Sequence, residues 1–114
     1  MKEIKTEDLP EKIKVEEEKI LVLCQRIESC HKEIKRQEAQ VTLEVYQMKD
    51  RSNKPMYTND TQRKAKIQIE LETSCSLVFN EAEELKEERD KSIIERDYFK
   101  RLLQVHLALL NQNN

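Results

Sequence analysis

From Leu9 onward one apolar residue returns every seven positions: Ile13, Ile20, Ile27, Ile34, Val41 and Met48, with Glu, Lys, Arg and Gln between them. A seven-residue period keeps those side chains on one stripe of a helix, whereas a strand would need alternation every second residue. The second line of the stripe has two readings. Three residues after the first line it is Glu16, Leu23, Cys30, Gln37 and Glu44; four residues after, it is Glu17, Cys24, His31, Glu38 and Val45. Either line is partly polar, so this helix needs another helix to cover it.

The boundaries are legible from capping chemistry. Asp8 followed by Glu11 reads as a capping box, and Pro10 fits the first turn, where no amide donor is needed. Residues 50–59 read Asp-Arg-Ser-Asn-Lys-Pro-Met-Tyr-Thr-Asn, a cluster of turn formers around Pro55, which disfavours helical geometry at Lys54. This segment reads as the one break in the chain. Asn59 then caps a second helix, with Gln62 three residues on. That helix carries Leu71, Val78, Leu85, Ser92, Phe99 and His106 on one line, and Cys75, Ala82, Arg89, Arg96, Leu103 and Leu110 four residues after each. The seam is apolar at both ends and polar in the middle.

The resulting plan has a flexible N-terminus (1–8), helix 1 (9–50), a Pro-containing hinge (51–58), helix 2 (59–111) and a tail (112–114). At 1.5 Å per residue the helices are rods of about 60 and 75 Å. A short connection between long amphipathic helices favours an antiparallel coiled-coil hairpin, an all-α fold, over a parallel dimer of one rod bent at Pro55. Reflection about Lys54 and Pro55 sets Ile34 opposite Cys75, Ile27 near Ala82, and Val41 near Gln68. A lone hairpin buries one narrow seam against an ordering cost of about 1–2 kcal/mol per residue, so two hairpins are expected to assemble into a dimeric four-helix bundle.

Composition narrows the function. The chain has 114 residues, 39% of them charged, and no glycine. Phosphate-cradling loops and nucleophile elbows use glycine where the backbone approaches a ligand or takes positive φ, so the common nucleotide-binding and hydrolase motifs have no place here. Net charge is −2, from two large and nearly equal populations, and supplies no overall field toward nucleic acid or membrane. No stretch has the roughly 18 apolar residues of a membrane span, and the first residues are too polar for a signal peptide. Three cysteines, Cys24, Cys30 and Cys75, without metal or redox spacing, fit free thiols in a reducing, cytoplasmic setting.

Candidate chemistry is sparse. Cys30, His31 and Cys75 are one ligand short of a tetrahedral site, and side chains at 30 and 31 point about 100° apart on a helix. They read as seam-lining residues, with a Cys30–Cys75 disulfide as a redox-responsive alternative. His106, amid leucines, reads as a satisfied seam histidine ahead of a pH switch. No catalytic, cofactor or metal residues are assigned. The expected oligomer or partner interface is Ile13, Ile20, Ile27, Ile34, Val41, Met48, Leu71, Val78, Leu85, Phe99, Leu102, Leu103, Leu109 and Leu110, the last four being part of a leucine-rich adhesive end. Between Lys49 and Lys66 six basic residues face two acids, and Arg51, Lys54, Tyr57, Arg63, Lys64 and Lys66 are the candidate nucleic-acid contacts. Glu81 to Asp90 is acidic instead, and this separation of charge offers a way to align two hairpins.

The stretch Asn59-Asp60-Thr61-Gln62-Arg63-Lys64-Ala65, followed by a charged coil ending in aromatic and leucine residues, resembles small two-helix coiled-coil proteins of bacterial phages and mobile elements. Those often lie among recombination and single-strand DNA genes, so the resemblance implies an accessory role around DNA processing and brings no catalytic residue with it. The residues themselves favour a non-enzymatic scaffold or adaptor that forms a homodimer and binds a protein partner. Nucleic acid is the alternative partner, and no membrane contact is expected.

Overall fold

The structure, a computed structural model, describes residues 5–112. Positions 1–4 of the expected N-terminal segment and 113–114 of the expected tail lie outside the described residues. Within them the chain is all-α: helices α1 (Leu9–Gln47), α2 (Asp60–Ser74) and α3 (Ser76–Gln112), preceded by a 3-10 turn at Thr6–Asp8. They form two compact units, one running up to Ile27 and resuming at Glu84, the other Glu28–Glu83.

Helix α1 is entered through the 3-10 turn. The Asp8 amide donates to the Lys5 carbonyl at 3.0 Å, and the Leu9 amide to that of Thr6. Proline at the second helical residue costs nothing, because the first-turn amides have no helical acceptor. Leu9 is fully buried.

Burial along α1 resolves the two-way reading of the second line. Glu16 and Gln37 are half-buried and Leu23 and Cys30 buried, whereas Glu17, Cys24, His31 and Glu38 are exposed, so the line three residues on faces inward. At the C-terminal end the choice reverses: Glu44 is exposed and Val45 is 1% exposed. A carboxylate in an apolar seam carries a desolvation cost that a neighbouring valine avoids, and a slight rotation exchanges the two.

In the Glu28–Glu83 unit, Val41 and Val45 of α1 pack with Leu71 of α2 and Cys75, with Tyr57 and Ile67 against them. The connection is residues 48–59, longer than expected, and it is built as a miniature β-hairpin. The Asp50 amide donates to the Lys54 carbonyl (2.8 Å), Asn53 to Asp50 (3.0 Å), and Met56 to Met48 (2.9 Å), with Lys49 bridged to Pro55. Asn53 sits at φ 62°, the left-handed residue that a three-residue hairpin loop requires. The Asp50 carboxylate accepts the amides of Ser52 (2.8 Å) and Lys54 (3.0 Å). Asn59 caps α2 as its position suggests, its side chain accepting the Gln62 amide at 2.8 Å.

This loop displaces the register expected from simple reflection. The loop pairs are centred on Ser52 rather than on Lys54 and Pro55. The Arg63 Nε–H reaches the Tyr57 carbonyl at 3.3 Å, which ties the end of the loop to the first turn of α2. Cys75 packs with Val41 and Val45, a heptad nearer the loop than the Ile34 expected, and Leu71 joins the same cluster with Ile67, a neighbour of the expected Gln68, against it.

A second correction concerns the expected single helix over 59–111. It is interrupted at Cys75 (φ −108°, ψ 3°), although the Cys75 amide still donates to Leu71 (2.8 Å) and the Cys75 carbonyl still accepts from Phe79 (2.9 Å). The bend falls in Thr73-Ser74-Cys75-Ser76, a run of weak helix formers, where the Thr73 hydroxyl donates to the Ile69 carbonyl at 3.2 Å and competes for the helical acceptor.

In the other unit, the start of α1 runs opposite in direction to α3. Thr6 Oγ1 is hydrogen-bonded to His106 Nδ1, the Lys12 ammonium lies 5.9 Å from the Phe99 ring centroid, and Lys100 pairs with Glu17 at 3.2 Å. Leu85 is buried, and Arg89, Ser92, Arg96, Phe99, Leu103 and His106 are half-buried, on the four-three spacing read from the sequence.

Candidate interaction surfaces

Much of the expected interface is consumed within the chain. Ile27, Val41, Leu71 and Leu85 are buried, and Ile13, Ile20, Ile34, Met48, Val78, Phe99, Leu102 and Leu103 are half-buried. They are seam residues of a chain that packs on itself. Of the positions proposed for a partner, Leu109 and Leu110 remain exposed.

The polar middle of α3 is accommodated by snorkelling. Arg89 and Arg96 lie on the seam but send Nε to the next carboxylate, Asp90 at 3.3 Å and Asp97 at 3.2 Å, so their methylenes cover apolar surface while the charge stays near water. His106 is satisfied by Thr6 of its own chain.

In the unit built from the two ends of the chain, large apolar side chains remain exposed beyond the seam: Val15, Leu21 and Val22 on α1, and Ile94, Tyr98, Val105, Leu107 and Leu109 on α3, while Leu110 is exposed on the seam itself. The sequence reading singled out the leucines and missed Val15, Val22, Tyr98 and Val105. Their signal was present, because Val15 and Val22 repeat at seven, and Tyr98, Leu102, Val105 and Leu109 at four-three-four. Val15, Val22 and Leu23 line a groove of about 620 Å³ with Glu88, Lys91 and Ser92.

The Glu28–Glu83 unit presents the basic loop. The structure divides the expected nucleic-acid residues into two sets. Arg63 is engaged: its guanidinium lies 4.6 Å from the Tyr46 ring centroid, and it pairs with Asp60 at 3.2 Å. Lys66 pairs with Glu70 at 2.8 Å, a contact that raises its pKa, and Tyr57 is half-buried against the Val41–Val45 cluster. Lys49, Arg51, Lys54 and Lys64 are exposed and form no ion pair among the described residues. Asp50, the one acid within the loop, has a carboxylate oxygen turned onto backbone amides.

Cys30 and Cys75 are buried, Cys24 is exposed, and none is in a disulfide. Cys75 packs with Val41, which lies 11 residues beyond Cys30 on α1, about 16 Å along the axis. That exceeds the roughly 7 Å limit between bridged Cα atoms, so the Cys30–Cys75 disulfide does not fit this register. Among the described residues no group of three or more His, Cys, Asp or Glu is placed to hold a metal ion, and no helix is long and apolar enough to cross a membrane.

Compared with known proteins, the chain matches no family model, no curated protein and no solved structure.

Proposed function

We propose that the chain is a non-enzymatic, self-associating module: an antiparallel coiled-coil hairpin that pairs into a dimeric four-helix bundle and offers helical surface to a protein partner. One observation carries this reading. After the seam is filled, rows of large apolar side chains remain exposed at helical spacing, Val15 and Val22 on α1 and Tyr98, Val105 and Leu109 on α3. Contiguous apolar surface of this kind marks an interaction site more often than it marks idle surface. Sedimentation equilibrium or light scattering across a hundredfold range of protein concentration tests it. A concentration-dependent dimer is expected, and a folded monomer at every concentration rejects the reading.

A second reading, contact with nucleic acid through the loop, is favoured by the four cations Lys49, Arg51, Lys54 and Lys64, exposed and without ion pairs among the described residues. Such a finger would meet phosphates, and its affinity would fall steeply with salt. Titration of labelled single-stranded DNA at two salt concentrations, repeated with Lys49, Arg51 and Lys54 changed to Ala, separates the two readings. Binding lost with these three supports contact through the loop; binding unaltered by them rejects it.

A further inference from the structure

We infer that the loop takes a single strand of nucleic acid, with one unstacked base seated in the groove between the loop and α2 and the flanking phosphates on Lys54, Arg51 and Lys49. The inference rests on the nucleic-acid reading of the loop and specifies which form of nucleic acid it takes.

Residues 48–70 hold six basic side chains, Lys49, Arg51, Lys54, Arg63, Lys64 and Lys66, against three acids, Asp50, Asp60 and Glu70. Each acid is engaged: Asp60 with Arg63 at 3.2 Å, Glu70 with Lys66 at 2.8 Å, and Asp50 with the amides of Ser52 and Lys54. The cations left over, Lys49, Arg51, Lys54 and Lys64, are exposed and form no ion pair among the described residues. A polyanion is the partner that such a local excess complements.

The hairpin sets three of these cations around a finger rather than on a plane. Side chains alternate across a ribbon. Met48 pairs with Met56 and Asp50 with Lys54, so Met56 and Lys54 share one face, while Lys49, bridged to Pro55, lies on the other. Arg51 follows Asp50 at the tip. Lys64 lies about 200° round α2 from Gln62 and supplies charge from the far side of that helix. A flexible strand bends round a finger of this kind, whereas a duplex is stiff over about 150 base pairs. A ribbon can enter the major groove of a duplex, but stacked and paired bases present only their edges there.

One feature beside the finger suits the face of a base. The loop and α2 enclose a groove of about 460 Å³, lined by Met56, Tyr57, Gln62, Ala65, Lys66 and Ile69, within the size range of small-ligand clefts. Met56 and Ile69 are 47% and 57% exposed, large apolar side chains left to water. Tyr57 is held from behind by the Val41–Val45 cluster, so little freedom remains for it to lose on binding. Aromatic and polarisable side chains accept the face of any base, and the Gln62 amide and Lys66 ammonium can meet its edge. Lys54 stands two residues from Met56, roughly 7 Å along the strand, which brings a phosphate of the seated nucleotide to an unpaired cation.

The test measures fluorescence anisotropy of three labelled probes of about 16 nucleotides with the full chain. The probes are an oligothymidylate, a strand of equal length with abasic sugars throughout, and a duplex. The oligothymidylate is expected to bind about tenfold tighter than the abasic strand, the gain from stacking one base, and tighter than the duplex. Met56→Ala with Ile69→Ala, both exposed, is expected to bring the oligothymidylate down to the affinity of the abasic strand, with helicity by circular dichroism unchanged. Equal binding of the two strands, a duplex bound as tightly as the oligothymidylate, or a preference for bases that survives the double substitution overturns this inference and leaves contact through the loop standing. No binding of any probe, or binding that persists when Lys49, Arg51 and Lys54 are changed to Ala, overturns both.

Discussion

The guanidinium of Arg63 lies over the ring of Tyr46, 4.6 Å from its centroid, so the first turn of α2 is fastened to the last turn of α1. The same side chain donates Nε–H to the Tyr57 carbonyl and pairs with Asp60. Planarity lets one group stack and donate at once, which an ammonium does not reproduce. Arg63→Ala is expected to lower stability by about 1–2 kcal/mol, combining an exposed cation–π contact with a lost charged hydrogen bond. Arg63→Lys should restore less than half of that. Urea unfolding of the three proteins reads the difference.

The loop makes a prediction of its own at Asn53. Its positive φ is tolerated by asparagine, freely adopted by glycine, and unfavourable for a β-branched residue. Asn53→Gly should therefore leave the melting temperature close to that of the parent protein. Asn53→Val should cost about 1–2 kcal/mol, the penalty of a left-handed conformation. Equal melting of the two variants would contradict the hairpin loop.

These residues also show what was and was not legible in the sequence. The seam from Leu71 to His106 was written in its spacing, because a heptad line needs only composition and period to be seen. The cap at Asn59 was equally readable, since one side chain and one nearby amide suffice. The register was not. It depends on how 12 residues fold between α1 and α2, and Cys75 packs a heptad nearer the loop than simple reflection sets it. The bend at Cys75 was missed for a related reason. Thr73, Ser74 and Ser76 each weaken a helix slightly, and no proline or glycine announced their combined effect. Of the exposed apolar residues, Leu109 and Leu110 are visible from composition alone, whereas Val15, Val22, Tyr98 and Val105 stand out only beside the inner seam.

Acid titration should single out Glu33. Its carboxylate accepts Arg36 Nε–H at 3.0 Å and the Gln37 side-chain amide at 3.0 Å, and the Arg36 hydrogen bond chiefly holds its pKa at about 2 against an ordinary 4.5. A folded pKa below the unfolded one means that the ion pair contributes to stability above pH 4.5 and is lost as pH falls toward 2. Carbon-detected NMR should find the Glu33 midpoint near 2. Arg36→Ala should bring Glu33 most of the way back to its ordinary 4.5. A Glu33 midpoint unmoved by that substitution would show that Arg36 is not the cause.

The thiols give the sharpest check on the register, because the three cysteines occupy different surroundings on the same two helical stretches. Cys24 is exposed, Cys30 is buried on the α1 seam, and Cys75 is fully buried against Val41 and Val45. A thiol reagent in excess should modify Cys24 at once and the other two only at the rate at which the packing opens, a separation of at least about a hundredfold if local opening costs 3 kcal/mol or more. If reflection about Pro55 held instead, Cys75 would lie opposite Ile34, four residues from Cys30, within reach of a disulfide after a small slip. Oxidation of the folded protein would then yield an internally bridged monomer of altered mobility on a non-reducing gel. With Cys75 a heptad nearer the loop, oxidation should leave the monomer's mobility unchanged. Val41→Ala, by opening space beside Cys75, should speed its modification while leaving Cys24 as fast as before, and an unchanged Cys75 rate would place the buried thiol against some other residue.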